Sequence, residues 1–316
     1  MAFNMFKKPV FNPEKEIPDL SGRIILVTGG TGGLGRETVL SFAKRHPRHI
    51  FFTGRSQPSA EQTIQLAKQK APQTPVTFVK CDLASFSSVK TAATEILSST
   101  DRLDILNANA GIMALPPGLT QNGYEIQFGT NHMGHAYLVK LLTPLLQKTA
   151  QLPGADVRVI WDTSLGYKAS TGIDFPKLKT KQEDISPFMA PWFRYGQSKL
   201  ANLLYARAYA KKYPEITSVS IHPGVSATGL VENLGFFQKV FVYATSYFMM
   251  IPPEQCAWNQ QWAAVAPLGT GTRQVASGTW YEPVGLKGSL TKAGGDDELA
   301  EVLWRWTEKE LDGWES

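Results

Sequence analysis

Directly after the apolar run Arg23-Ile24-Ile25-Leu26-Val27-Thr28, five of the seven residues from Gly29 to Gly35 are glycine. No other stretch narrows the possible folds as much. A short β-branched run ending in glycines reads as a buried parallel strand, and Leu34 to Arg45 then reads as a helix. Glycines at such a turn let the backbone bend tightly and approach a pyrophosphate, whose charge meets the helix N-terminus. The run fits G-x-G-x-x-G from Gly30, T-G-x-x-x-G-x-G through Gly33 and Gly35, and T-G-x-x-G-x-x-G through Gly32 and Gly35. The spacing therefore points to a dinucleotide turn, with Gly29, Thr31, Gly32, Gly33, Leu34 and Gly35 as contacts, but leaves its type open.

The same alternation continues along the chain. Strands are predicted at His49–Thr53, Val76–Val79, Leu103–Leu106, Val157–Trp161 and Ser218–Ile221, with a possible seventh at Gly278–Tyr281. Helices are predicted over 59–70, Ser85–Ser98, Tyr124–Lys148 and Trp192–Tyr213. Unbroken alternation of strand and helix argues for an α/β fold, a doubly wound parallel sheet of about seven strands with helices on both faces. No repeat or low-complexity linker divides it. We expect one domain over 22–316, preceded by a surface arm over 1–21 and ending in a helical tail at about 296–316.

Two residues at strand ends bear on the nucleotide. Many dinucleotide folds place an acid about 20 residues beyond the glycines, to bond the ribose 2′-hydroxyl. Here the strand ends Thr53-Gly54-Arg55-Ser56. Arg55 offers a planar fork for a 2′-phosphate, which favours NADP(H) over NAD(H). After the third strand stands Cys81-Asp82-Leu83. Asp82 is placed either to bond the adenine amino group or to cap the next helix, with Leu83 beside it.

With these motifs in order, the chain resembles the short-chain dehydrogenase/reductase family over roughly residues 22 to 285. Asn107-Ala108-Asn109-Ala110-Gly111 is similar to the family's N-N-A-G, with Ala108 in place of the first Asn. Asn131 lies in Phe128-Gly129-Thr130-Asn131-His132, and Ser164 follows the fifth strand. Tyr195-Gly196-Gln197-Ser198-Lys199 sits on the next helix, and Pro223-Gly224-Val225 with Thr228 follows the sixth strand. The set resembles the compact, non-extended branch, and the wording around Asn107–Gly111 and Asn131–His135 resembles the retinol-dehydrogenase and WW-domain-oxidoreductase group. The resemblance implies a Rossmann-type fold. It places Asn109, Ala110, Gly111, Pro223, Gly224, Val225 and Thr228 around the nicotinamide end of the cofactor. It also implies a possible homodimer through the helices carrying Asn131 and Tyr195, which a tail bearing Trp304, Trp306 and Trp314 would block or remodel.

Residue chemistry agrees with that resemblance. Hydride transfer to a carbonyl leaves an alkoxide that needs a proton. A free tyrosine has a pKa of ~10, and a nearby cation lowers it. Tyr195 and Lys199 are i and i+4, so they share a helical face. Lys199 is expected to bond the nicotinamide ribose as well. Ser164 would hold the substrate oxygen as a preorganised donor, and the resemblance gives Asn131 a water that links Lys199 to solvent. His132 and His135 stand three apart without an accompanying acid or cysteine, so they read as packing or polar contacts and no metal site is expected.

Between Leu230 and Ile251 apolar residues recur at three- and four-residue spacing, and Val240 to Pro253 carries no charge. The stretch reads as core, as a substrate lid at about 226–255, or as an interfacial helix; it is too short for a confident membrane span. The lid reading implies a lipophilic or polycyclic carbonyl or alcohol substrate, with Gly166 to Pro191 as the opposite wall. Scattered basic residues at net charge +5 argue against a nucleic-acid surface. Cys81 and Cys256 match no metal spacing, and their scarcity points to a reducing, cytoplasmic setting. Two functions remain: an NADP(H)-dependent oxidoreductase, and a cofactor-binding protein of the same fold with a non-redox role. The intact Ser164-Tyr195-Lys199 set favours the first.

Overall fold

The computed structural model describes residues 11–184, 189–225 and 251–314. Its centre is one sheet in the order β3-β2-β1-β4-β5-β6-β7-β8. The strands are β1 Ile24–Val27, β2 His49–Gly54, β3 Val76–Lys80, β4 Ile105–Ala108, β5 Arg158–Asp162, β6 Thr217–Ile221, β7 Trp280–Glu282 and β8 Leu286–Lys287. Pairing is parallel through β7, and β8 returns antiparallel along β7. Every residue of β1 is buried, which is why its sequence is apolar without alternation. The chain leaves β1 towards β2 and β3, then crosses back to place β4 on the other side of β1. That reversal opens a crevice at the strands' carboxyl ends.

Helices cover both faces. One core joins Leu106, Val159 and Trp161 of the sheet to α4 Phe86–Ser99, α6 Gly134–Ala150 and α7 Ala190–Lys212. The other joins Val27, Ile105 and Ile160 to α2 Gly33–Ala43 and α3 Gln57–Lys70. Large side chains such as Trp161, Trp280 and Phe52 are fully enclosed, each stabilising the fold by about 1.5–3 kcal/mol relative to exposure.

Several elements depart from the sequence-based expectation. The 124–148 helix is not continuous. It consists of α5 Ile126–Phe128, a π-turn Gly129–Met133, and then α6. A π-turn inserts a residue into the helical ladder and is frequent at functional sites; Asn131 is on it. Strand β4 runs two residues later than expected because Asp104 binds the β1 end, accepting from Ile24 N at 2.9 Å. Ser85 stands at the N-cap position of α4 but makes no side-chain capping bond. Asn122 supplies one instead, its Oδ1 accepting from Phe86 N at 2.9 Å.

A helix over Pro253–Val265, α8, has no counterpart in the sequence reading, which ends the lid near 255. Its inner residues include Asn259, Gln260 and Gln261, all buried. Asn259 Nδ2 donates to the carbonyls of His222 at 2.7 Å and Tyr281 at 3.1 Å. Gln260 bonds the Leu34 carbonyl at 3.3 Å and the Thr38 hydroxyl. Polar residues turned inward to satisfy backbone groups erase the apolar periodicity that would reveal the helix.

The arm is also more than a surface strip. From Phe11 onward it includes α1 Pro13–Glu16 and buries Phe11, Ile17 and Leu20 in the second core. At the other end, α9 spans Asp297–Asp312. It buries Ala300, Leu303, Trp304, Thr307 and Leu311. Trp304 stacks on Tyr205 of α7 at 4.7 Å, and Lys140 of α6 pairs with Glu308 and Asp312 at 2.8 Å each. So α9 lies over α6 and α7, the helices through which the resemblance implies pairing of two copies. Among the described residues, no helix is long and apolar enough to cross a membrane.

Candidate active site

The glycine turn and the end of β4 are stitched together by Thr28. Its N–H donates to the Asn107 carbonyl at 2.9 Å, and its hydroxyl accepts from Ala110 N at 2.9 Å. Asn109 Nδ2 donates to the Thr28 carbonyl at 2.7 Å. Gly29 has φ +70°, a left-handed conformation that a Cβ would strain. A Cβ on Gly35 would strike the Gly29 carbonyl and come within 2.7 Å of Asn109 Nδ2. The turn is thus closed on its inner side, while a Cβ on Gly32 or Gly33 would meet nothing within 4 Å. Gly32 caps α2 without a side-chain bond, and the helix's first turn has no acid. Free N–H groups facing open space at a helix start fit a pyrophosphate. Thr31 and Leu34 belong to the same turn.

Arg55 follows β2 directly, is exposed, and has no hydrogen bond or ion pair among the described residues. Arg36 of α2, by contrast, is committed to the turn itself, with Nε on Thr63 Oγ1 at 3.1 Å and a second nitrogen on the Thr31 carbonyl at 2.5 Å. Asp82 accepts from Ala84 N at 3.0 Å, closing a turn beside Leu83 rather than capping α4. That bond occupies one of its two carboxylate oxygens.

Gly111, Asn131 and Lys199 converge: a Cβ on Gly111 would lie 3.3 Å from both Asn131 Oδ1 and Lys199 Nζ. Asn131 is fully buried and fully bonded. Its Oδ1 accepts from Ile112 N at 2.8 Å, and its Nδ2 donates to the Ile112 carbonyl and to Ser198 Oγ, both at 2.9 Å. Ser198 in turn donates to the Tyr195 carbonyl at 2.8 Å. Asn131 therefore ties the loop after β4 to the middle of α7. Its own carbonyl accepts from His135 Nδ1 at 2.9 Å, which leaves Nε2 to accept from the Thr28 hydroxyl at 2.8 Å. Burial pushes His135 down to about 4, so the ring is neutral in this role. His132 bonds Thr307 of α9 at 3.0 Å.

Ser164 stands in extended backbone after β5, and its Oγ accepts from Gly166 N at 3.1 Å. Its hydroxyl lies on the Tyr195 side: a Cβ on Gly166 would be 3.4 Å from Ser164 Oγ. Two glycines bring these groups together. A Cβ on Gly196 would lie 2.7 Å from the Gly166 carbonyl, and a Cβ on Gly166 would lie 3.0 Å from the Tyr195 ring. Sequence reasoning singled out neither glycine. The available signal was Gly196 itself, since glycine inside a helix costs about 1 kcal/mol against alanine. Gly196→Ala should gain that propensity yet lose more by driving α7 off a rigid backbone oxygen. We expect turnover to fall by on the order of tenfold with cofactor affinity little changed. Steady-state kinetics beside cofactor titration check this; unaltered turnover would show that the approach of Gly166 to Gly196 is dispensable.

The electrostatics differ from the expectation that Lys199 lowers the tyrosine pKa. Tyr195 is pushed up to about 12, chiefly by burial, with the neighbouring Ser164 hydroxyl acting the other way and Asp162 adding to the rise. Lys199 Nζ lies 5.8 Å from the centre of the Tyr195 ring and donates to the Asp162 carbonyl at 3.0 Å. At neutral pH the phenol is therefore protonated in this structure.

Next to Tyr195 in sequence, Arg194 forms an ion pair with Glu125 at 3.3 Å, both side chains fully buried. Arg194 also donates to the carbonyls of Leu115 at 3.0 Å and Gln182 at 3.4 Å. One guanidinium so ties the loop after β4 to the segment before α7. Pro223, Gly224 and Val225 follow β6, and the Val225 carbonyl accepts from Ile251 N at 2.9 Å. Thr228 and the rest of the 226–250 stretch lie outside the described residues, as do 185–188 of the second wall. No group of three or more metal-ligating side chains occurs among the described residues.

Comparison with known proteins agrees with this architecture. The sequence model for short chain dehydrogenases matches residues 23–155. An uncharacterised oxidoreductase of Schizosaccharomyces pombe is 34% identical over 93% of this chain and 86% of its own length. A short-chain dehydrogenase/reductase of Aspergillus calidoustus is 33% identical over 93% of this chain and 95% of its own. An uncharacterised Mycobacterium paratuberculosis protein of known crystal structure superposes with a TM-score of 0.71 at 25% identity, over 96% of this chain and 97% of that one. L-Sorbose reductase from Gluconobacter frateurii, solved with NADPH and L-sorbose, shares the fold at a TM-score of 0.61 and 19% identity, over 85% of this chain and 98% of that one. The chain belongs to the short-chain dehydrogenase/reductase family, whose members are nicotinamide-dependent oxidoreductases.

Proposed function

We propose that this protein is an NADP(H)-dependent carbonyl reductase or alcohol dehydrogenase in which Tyr195 is the general acid and base. The observation that carries the reading is the meeting of Ser164, Tyr195 and Lys199 at the carboxyl edge of β5, beside the crevice that the glycine turn opens. A bound nicotinamide supplies or accepts the hydride. Ser164 orients the substrate oxygen, and Tyr195 gives that oxygen its proton in reduction or takes it in oxidation. Lys199, close to Gly111, would bond the nicotinamide ribose. Arg55, exposed and unengaged among the described residues, is the candidate partner of a 2′-phosphate. An NADPH complex in a protein of the same fold is consistent with that choice.

A lipophilic or polycyclic substrate is the companion proposal, resting on the apolar 230–251 stretch that follows Val225 in sequence. Residues 22–316 would then act as one domain in a reducing, cytoplasmic setting, and a homodimer through α6 and α7 would require α9 to move. The test is direct. Purified protein with NADPH and a panel of apolar ketones, aldehydes and quinones should show loss of the nicotinamide absorbance band. Cofactor binding without turnover on any carbonyl or alcohol would favour the non-redox reading.

A further inference from the structure

We propose that Arg194 and Gln127 are positioning residues for substrate selection: they hold the 112–115 loop as a fixed apolar wall alongside Tyr195. This rests on the oxidoreductase reading and deepens it, by assigning what shapes the substrate end of the site.

The loop leaves β4 at the catalytic groups and runs along α7 towards the start of that helix. A Cβ on Gly111 would lie 3.3 Å from Lys199 Nζ. Ile112 is tied through the Asn131 amide to Ser198. Ala114 N donates to Gln127 Oε1 at 2.7 Å, and Gln127 Nε2 donates to the Pro191 carbonyl at 3.0 Å. The Leu115 carbonyl accepts from Arg194 at 3.0 Å. Successive loop residues thus meet Lys199, then Ser198, then the first turns of α7. At roughly 100° per helical residue, Arg194 and Gly196 stand on opposite sides of Tyr195. Gly196 packs on the Gly166 turn, so the loop and that turn bracket the helical face that carries the phenol.

The loop is held from a buried base. Glu125, Gln127 and Arg194 have no exposed surface. Glu125 is the counter-charge of the guanidinium at 3.3 Å, and its Oε2 accepts from Gln127 N at 3.0 Å and Phe128 N at 2.7 Å. The guanidinium is therefore fixed to α5, directly before the π-turn that carries Asn131. An ion pair at this depth adds little net stability over apolar packing. What it supplies is a forked donor whose arms reach two chain segments at once, the second being the Gln182 carbonyl at 3.4 Å.

Both segments are strained. Four non-glycine residues among those described have left-handed backbone, and two of them stand at this guanidinium: Ala114 at φ +51°, just before Leu115, and Gln182 at φ +53°. Such strain persists only where surrounding bonds over-determine it, and it gathers at ligand clamps. Ile112, Met113 and Leu115 are half-buried, so the wall they form is apolar and suits an apolar carbonyl compound.

Two variants separate the bonds from the charge. Gln127→Met keeps the size and the ion pair but frees Ala114 N and the Pro191 carbonyl. Arg194→Lys keeps a charge beside Glu125, but one ammonium cannot bridge both carbonyls. Reduction of phenanthrenequinone, bulky and apolar, is compared with that of propanal. In either variant KM for the quinone should rise on the order of tenfold, more than kcat falls, and kcat/KM for the quinone relative to propanal should drop by a similar factor. A residue that only stabilises the fold lowers kcat for both substrates alike, through the fraction folded. That pattern, or no change, overturns the proposal. Should Arg194→Lys fail to fold, Gln127→Met decides, because it leaves the buried charges paired. The second arm needs no turnover: binding of the quinone to the NADP+ complex, read by quenching of tryptophan fluorescence, should weaken on the order of tenfold while NADP+ affinity holds. A wild type that binds the quinone without reducing it removes the oxidoreductase reading, and the binding ratio still decides the wall. A wild type that neither binds nor reduces it overturns the wall.

Discussion

Replacing Tyr195 by phenylalanine is expected to lower turnover by about 10²–10⁴-fold, the usual contribution of a positioned proton donor. Binding of the reduced cofactor should change little. The substitution removes one oxygen from a ring that stays buried against Gly166, so packing survives. Ser164 is only half-buried, so its hydroxyl keeps access to solvent. Loss of kcat with a retained fluorescence titration for NADPH identifies Tyr195 as a chemical group; parallel loss of both identifies it as a packing group.

Arg55→Asp should weaken NADPH far more than NADH. An arginine fork on a phosphate is a charge-assisted bond worth about 1.5–3 kcal/mol, and an aspartate there adds repulsion. KM for NADPH should therefore rise by on the order of a hundredfold or more, while NADH improves or holds as the carboxylate meets a 2′-hydroxyl. The side chain is exposed with no partner among the described residues, so folding is not at stake. Equal responses of the two cofactors would remove Arg55 from the phosphate site. In that event Arg36 is the next candidate, although its guanidinium is already spent on the turn.

Much of this was legible because it depends on local rules. The apolar run before Gly29 marks a strand buried on both faces. The four-residue step from Tyr195 to Lys199 marks one helical face, and the order of motifs marks successive strand ends. Other parts were hidden for particular reasons. The break at Gly129–Met133 leaves hydropathy unchanged, so a continuous helix was the natural reading. The helix Pro253–Val265 hides because Asn259, Gln260 and Gln261 face inward to serve backbone groups.

The amino-acid sequence by itself determined the family, the doubly wound sheet and which side chains stand at its carboxyl edge, because strand and helix periodicities act over neighbouring residues. Only the tertiary structure decided how those side chains are charged and held. Gly166 meets Gly196 across 30 residues, Asn131 spans from Ile112 to Ser198, and the carbonyl of Asp162 takes the ammonium of Lys199. Burial and the field of distant charges set the proton on Tyr195, and neither quantity exists until the chain has closed around it.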